Sequence, residues 1–496
     1  MQALKAASSG AGAETSDPTV ELRESVKDSF LASHLATSDG THLRLPMTSD
    51  SDPNMNRRTS SFSADAREAS KLPPRHATWR RIAFLLIADI VGVGILELGF
   101  HLATLGWVLG LSFMVIFFAV NLYTGILLSR LRDSYPNAVT LGDLAGYVMG
   151  SRRWAMAMWI VVYVNLSLNC GSYLLVITKT LQSIFWVQSP GWCDPWTALG
   201  SCCLLLIPNQ VRTMNGMSYL AIVSFATIVL SVLMTLGHLL GHETRPGTAT
   251  EAFAGSSNFW VFFNSLSGFA FAYAGQSIYL EMMAEMKRPT LFSKALLIGA
   301  PSILLLYSIT AIAQYALTGQ YARPFLIDSV PDGPLKVVVS ISLLIHMLIS
   351  YNITNQVVTR ALHLRFFPRT VNGSSMASRM HWFLLSGCLL VSSWIIANAV
   401  PFFDNLTGII GALLLAPISF IIPCLFYLKA DRNGALVAAD GMKSYTIGGT
   451  ERAACYAIIA IGACVTLLGT ISNIKEAAEK SSSIAAPFSC NVFNAQ

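Results

Sequence analysis

Beyond about residue 78 the chain alternates long apolar runs with short charged clusters. Most runs are about 20 residues long, the length that crosses about 30 Å of hydrocarbon at 1.5 Å per residue. The pattern predicts about eleven spans, at 80–103, 107–131, 154–180, 195–208, 216–240, 259–285, 290–318, 335–362, 381–400, 405–428 and 453–473, the fourth being short. The spanning region is thus expected over 79–474, with a short tail at 475–496. Residues 1–78 are polar and rich in Ser, Thr, Ala and Asp, with no apolar core of signal-peptide type, and are expected to form a disordered tail. Between spans two and three, SYPNAVTLGDLAGYVMGSRRW predicts an amphipathic helix with Leu141, Leu144, Ala145, Val148 and Met149 on one face.

Composition sharpens the class. With 53% hydrophobic residues, 12% charged residues and a mean hydropathy of +0.54, a soluble globular protein is excluded and an all-α polytopic membrane protein is expected. The net charge of +6 speaks to topology. Basic clusters stand before the first span (Lys71, Arg75, Arg80, Arg81), after the second (Arg130, Arg132, Arg152, Arg153) and after the eighth (Arg360, Arg365, Arg369, Arg379). With the tail cytoplasmic, about twenty Lys and Arg fall inside and about six outside, which predicts a cytoplasmic N-terminus. An odd number of spans then puts the C-terminus on the opposite side. The sequons at Asn165 and Asn352 fall inside spans, Asn372 in an inner loop and Asn405 almost at the membrane, so none is a convincing acceptor. Most cysteines (Cys170, Cys202, Cys203, Cys388, Cys424, Cys455, Cys464) lie in apolar runs without metal-binding spacing and are read as packing residues.

Two spans are interrupted. In a bilayer, helix-breaking glycine is tolerated only where the freed backbone groups line a cavity or meet a ligand. GVGIL breaks span one at Gly92–Leu96, and GFAFAYAGQ breaks span six at Gly268–Gln276. These are the first helices of two five-span halves, the arrangement that points to an inverted-repeat transporter and its binding site. Counted from Arg81, Gly92 and Gly94 lie roughly 17–20 Å along the helix, a little past mid-membrane. Half-helix ends there offer N–H groups to an anion and carbonyls to a cation, which suits a zwitterion such as an amino acid. Gly106–Gly110 and Gly142–Gly146 have instead the spacing of close helix packing.

Within the same run GVGILELGFHLATLGWVLG resembles the first-span motif of the amino acid/auxin permease family, of the form G-x-G-x-L-x-L-P-x-A followed by G-W. SLSGFAFAYAGQSIYLEMMAEMKRP and PFFDNLTGIIGALLLAPISFIIPCLFYL are similar to that family's sixth and tenth spans, and the fungal-type neutral amino acid permeases look most alike. The resemblance implies a LeuT-like fold: two inverted five-span repeats with discontinuous helices one and six, plus an eleventh helix. It also implies alternating access and secondary transport of amino acids driven by H⁺ or Na⁺, without a cofactor. By position, Gly92, Val93 and Gly94 would supply amides to the substrate carboxylate, and Phe269, Ala270, Phe271 and Tyr273 would line the amino and side-chain end. The sequence departs from the motif at Glu97, Gly99, Phe100 and His101, where the family has a small residue and Leu-Pro-x-Ala.

The intramembrane acids are the candidates for ion coupling, since insertion costs each carboxylate roughly 2.5–3.5 kcal/mol. A carboxyl group that gains and loses a proton is what H⁺ symport needs, and Asp89, Glu97 and Glu281 are the three candidates. Capping of broken helix ends without titration is the plainer role for the first two. His101, at i+4 from Glu97, is read as an interfacial structural residue. Span eight carries Ser340, Ser342, His346, Ser350, Asn352, Thr354 and Asn355; in a LeuT-like fold it faces span one, so Ser350 and Thr354 become oxygen ligands for Na⁺, the second choice of ion.

No nucleophile elbow or H-E-x-x-H zinc pattern supports an enzyme, and no pore-lining charged repeat supports a channel. An amino-acid-sensing receptor on a transporter fold is the remaining alternative, and either the plasma membrane or a vacuolar or organellar membrane fits. Within the tail, RRTSSFS is a basic-directed phosphorylation pattern with Ser60 as the expected acceptor. Phosphopeptide mapping of the expressed protein should find phosphate on this stretch; none between Thr59 and Ser63 removes the assignment.

Overall fold

The protein was analysed as a computed structural model, which describes residues 75–185, 193–212, 214–242, 246–254, 258–399, 403–437, 444–481 and 488. The tail through residue 74, with Ser60, and most of 482–496 lie outside these residues. Among them all regular structure is helical, and eight helices are long and apolar enough to cross a membrane.

The first predicted span is broken as its glycines require. Helix α1 (Trp79–Ile90) stops after twelve residues. A tight 3₁₀ turn over Val93–Leu96 follows, and α2 (Leu98–Ser134) starts after Glu97. Inside α2, Gly106 takes φ +81°, and the next amides, Trp107 and Val108, donate to the carbonyls of Glu251 and Ala252 at 3.0 and 2.9 Å. A positive φ is open to glycine at little cost. Gly106 therefore breaks the chain between the first two spans, where its spacing from Gly110 suggested a packing contact.

After α2 comes α3 (Leu141–Met149), the expected amphipathic helix. Its capping box is complete: the Asp143 amide donates to Thr140 Oγ1 at 3.0 Å and the Thr140 amide to Asp143 Oδ2 at 2.9 Å. Leu141, Leu144, Ala145 and Val148 are buried, and Met149 partly so. Helix α3 packs on α4 (Arg152–Phe185), with Gly142 and Gly146 facing Ala155 and Trp159. The fourth span is only α5 (Asp194–Leu205), followed by α6 (Met214–Gly241).

The sixth span is also broken. Helix α7 (Phe259–Tyr273) ends before Ala274 and Gly275, a 3₁₀ turn covers Gln276–Ile278, and α8 (Tyr279–Glu285) resumes. Then come α9 (Phe292–Thr318), α10 (Pro334–Phe366) and α11 (Met376–Ala399). Helix α12 (Phe403–Ile410) widens into π-turns over Gly411–Leu415 and Pro417–Ile421 before α13 (Ile422–Arg432). Helix α14 (Gly449–Cys464) reaches α15 (Thr470–Ser481) through a π-turn at Val465–Gly469.

The 3₁₀ turn after α1 packs on α7 within the buried core. Helix α9 packs on α1 and α2, α10 on α4 and α6, α2 on α7, α1 on α6, and α12 on α7. Just ahead of α1, Ala77 pairs with the end of α8: its amide donates to the Glu285 carbonyl at 3.0 Å, and the Lys287 amide donates back to Ala77 at 2.9 Å. The seven cysteines in apolar runs are free, with Cys170, Cys424 and Cys455 buried, whereas Cys193 at the start of α5 is disulfide-bonded.

Candidate substrate site

Helix ends leave backbone groups unpaired, and at both breaks those groups fall inside the protein. The amides of Gly92, Val93 and Gly94 begin the first turn and have no carbonyl within it to accept them. At the opposite ends, α1 and α7 expose their last carbonyls. Tyr307 of α9 meets both: its hydroxyl lies 2.8 Å from the Ile90 carbonyl and 2.8 Å from that of Ala272, so its one proton serves either. Tyr307 is wholly buried, with its ring edge-on to Tyr273 at 5.2 Å.

Glycine allows the two breaks to touch. A Cβ on Gly94 would lie 2.5 Å from Ala272 Cα, so the backbones meet there without side chains between them. A Cβ on Gly92 would lie 2.9 Å from the ring of Tyr173 of α4. Gly94 thus packs against a neighbouring helix and borders a cavity at once.

That cavity, with room of about 30 Å³ for water centres, is walled by Asp89, Val93 and Gly94 from the first break and by Phe271, Ala274, Gly275 and Ser277 from the second. Leu166, Asn169 and Tyr173 of α4, Thr354 of α10 and Leu415 of the π-turn complete it. Asp89, in the last turn of α1, accepts a long contact from the Thr354 hydroxyl at 3.5 Å, and the Tyr173 hydroxyl is 3.5 Å from the Asp89 carbonyl. One turn earlier in α10, Ser350 donates to the Ala88 carbonyl at 2.9 Å. The floor is braced by amides: Asn165 donates to Ser277 at 3.0 Å, and Gln276 donates to Asn121 Oδ1 at 2.8 Å and accepts from Gly275 at 3.0 Å.

The residues expected at the site divide accordingly. Val93, Gly94, Phe271, Asp89 and Thr354 share the cavity, and Ser350 adjoins it. Gly92 lies behind, under Tyr173. Phe269 turns away to Phe117 and His101, Ala270 is buried, and Tyr273 lines a separate cavity with Asn121 and Tyr279. The other polar residues of span eight are dispersed: His346 pairs with Ser224 at 2.8 Å, Asn352 with the Leu348 carbonyl at 2.6 Å and Asn355 with Thr359 at 3.3 Å. Ser340 and Ser342 are buried elsewhere along the helix.

The three acids stand at different levels. Glu97 is buried behind the first break, accepting from Thr407 of α12 at 2.8 Å and lying 3.5 Å from His101 Nε2. His101 is not interfacial: at 2% exposure it sits against Gly268, where a Cβ would collide with its ring. Glu281 opens α8 and accepts from Tyr163 of α4 at 3.0 Å. Leu166, Asn169, Tyr173, Ser277, Leu415 and Tyr307 were not legible as site residues from the breaks. A stripe at i, i+4 and i+8, Asn165, Asn169 and Tyr173, is the signal that marks the α4 face.

The family model described as transmembrane amino acid transporter protein matches residues 75–472, which include both broken helices and the cavity between them. The chain belongs to this family. The transporter is 26% identical over 369 residues to the N amino acid transport system protein of Neurospora crassa, covering 72% of this chain and 77% of the relative. It is 25% identical over 403 residues to amino acid transporter AVT1D of Arabidopsis thaliana, covering 79% of this chain and 68% of that one. Against AVT1J of the same plant the figures are 24% over 415 residues, with 82% and 92% covered. Membership makes this an integral membrane protein of a transporter family rather than an enzyme family.

In this transporter the Gly94–Ala272 contact can be tested directly. Gly94→Ala puts a methyl group against backbone and should cost about 1–3 kcal/mol of stability by overpacking. Labelled amino acid uptake should fall at least tenfold. Gly387→Ala, with nothing within 4 Å, should change neither thermal unfolding nor uptake. Wild-type uptake by Gly94→Ala contradicts the close approach.

Proposed function

We propose that the protein carries amino acids across its membrane by alternating access on a LeuT-like fold, with the substrate held between the two helix breaks and transport coupled to H⁺. The observation that carries this is the shared cavity. It sets Ile90 at the end of α1, Val93 and Gly94 after the first break, Ala274 and Gly275 in the second break and one carboxylate, Asp89, around a single space. The amides suit an α-carboxylate and the carbonyls an ammonium group, which leaves the nearby Asp89 carboxyl group free to carry a proton. Asp89 is the one charged residue in the wall and no basic group faces the space, which favours neutral side chains over acidic ones.

The packing supports two repeats related by a shift of five spans. Helix α1 lies against α6 as α7 lies against α12, and α9 covers α1 as α2 covers α7. Spans two and seven (α2, α9) and spans three and eight (α4, α10) pair with each other, as two repeats facing across a pseudo-twofold axis would. Among the described residues, eight long helices with the broken first, short fourth and broken sixth are compatible with the proposed eleven spans. The basic clusters favour an orientation with the N-terminus in the cytoplasm.

A cavity of about 30 Å³ holds two or three waters, less than an amino acid needs. It corresponds to a closed site whose wall, Phe271, Leu166 and Leu415, has to part for substrate. The π-turn that carries Leu415 is a local weakness of the kind often found at functional sites.

Thr354 and Asp89 make H⁺ the favoured ion: a carboxyl group beside the substrate space can take a proton with the substrate and release it on the other side. Sodium remains a second reading on one observation, the two hydroxyls of Ser350 and Thr354 at the carbonyl end of α1. In proteoliposomes the wild-type protein should exchange labelled neutral amino acids in counterflow; a receptor would bind without exchanging. Asp89→Asn should abolish substrate-induced proton uptake and lower gradient-driven accumulation at least tenfold while counterflow persists. Intact proton uptake in Asp89→Asn removes Asp89 from the mechanism, and loss of transport when choline replaces Na⁺ reassigns the ion.

A further inference from the structure

A second cavity lies one helical turn from the first, on the side of the basic clusters. Its wall repeats that of the substrate cavity on the same three helices. Leu166 is followed by Tyr163 on α4, Thr354 by Val357 on α10, and Ile278, in the 3₁₀ turn that leads into α8, by Glu281 in its first turn. Each step is three residues, about 4.5 Å along a helix. All three lead toward Arg152, Arg365 and Arg288, the basic ends of these helices.

The space, with room of about 30 Å³ for water centres, has a mostly apolar wall in which Glu281, Glu285, Gln356 and Arg360 also stand. One oxygen of Glu281 accepts from Tyr163 at 3.0 Å; the other, Oε2, is buried without a hydrogen-bond partner. Gln356 is 1% exposed, and while its amide nitrogen donates to the Arg212 carbonyl at 3.3 Å, its Oε1 is also buried and unpaired. Two buried acceptors without a protein partner beside one space cost stability unless a donor reaches them there. Arg360 contributes a guanidinium to the same wall, extending one nitrogen to Asn372 at 3.4 Å.

We propose that this cavity is a second subsite for the transported amino acid, occupied between the central site and the arginine-rich face. Glu281 Oε2 and Gln356 Oε1 take its ammonium group, and Arg360 takes its carboxylate. The subsite rests on the transport reading and adds a station to it. Its recognition uses side-chain charges, whereas the central site uses backbone dipoles. The substrate's two charged groups are thereby handed from helix ends to ion pairs as it approaches water.

The test is half-saturation of labelled amino acid uptake at each face, in inside-out and right-side-out vesicles from cells expressing the full chain. Glu281→Gln and Arg360→Gln should each raise the half-saturating concentration at the arginine-rich face at least tenfold and shift it less than twofold at the opposite face. Glu281→Asp should recover part of the loss. Unchanged values at both faces, or equal rises at both, overturn the subsite. So does a change confined to the pH profile of Glu281→Gln with Arg360→Gln silent, which makes Glu281 a proton station only. Should Glu281→Gln fail to reach the membrane, Arg360→Gln decides alone. Wild-type vesicles that exchange no amino acid contradict the transport reading itself, a result separate from any of these.

Discussion

The hydroxyl of Tyr307, 2.8 Å from the carbonyls of Ile90 and Ala272, is the contact on which the site depends. Two helices that stop in mid-membrane leave carbonyls which water cannot reach, each costing several kcal/mol if left alone. A single hydroxyl on α9 stands within reach of both ends and donates to one of them at a time. The breaks are therefore held beside each other, and the amides that follow the first one face a common space.

Around that point each residue answers a shortage created by the break. Gly94 has no side chain, so the α7 backbone can approach; Tyr173 covers Gly92; Ser350 and Thr354 bring hydroxyls to the last turn of α1. The three acids, Glu97 buried and Asp89 and Glu281 half-buried, stand at three places around the breaks. Glu97 stands with Thr407 and His101 behind the first break, Asp89 in the central wall, and Glu281 one turn nearer the arginine-rich face. Under the proposed transport reading, a zwitterion and a proton would meet polar groups at each of these places.

The apolar runs and the glycine pairs made the helical class and both breaks readable before any coordinates, because length and backbone conformation are local properties. The partners of a break are not local. Nothing near Tyr307 marks it, since its two acceptors are 217 and 35 residues away. Tyr173 and Asn169 were readable only through the i, i+4, i+8 stripe they share with Asn165. Gly106 was half legible: the backbone of Ala254 packs so close that a Cβ would lie 2.8 Å from its nitrogen, while the positive φ, invisible in sequence, also makes it a turn. His101 looked interfacial because it follows a break near a span end, but the missing side chain of Gly268 gives its ring a place in the core. Of the motif positions on α7, Phe271 lines the cavity between the breaks, while Phe269 faces Phe117 and Tyr273 lines a neighbouring cavity, because alternate helical positions face different neighbours.

The central claim is that the paired breaks hold the substrate, and a structure of the protein in a lipid nanodisc with a saturating neutral amino acid tests it most directly. The account predicts both helices broken at Gly92 and Ala274–Gly275. It also predicts the ligand's carboxylate on the Gly92–Gly94 amides, its ammonium group near Asp89, and Leu415 and Phe271 displaced to make room. A ligand bound elsewhere, or either helix continuous through its break, contradicts it.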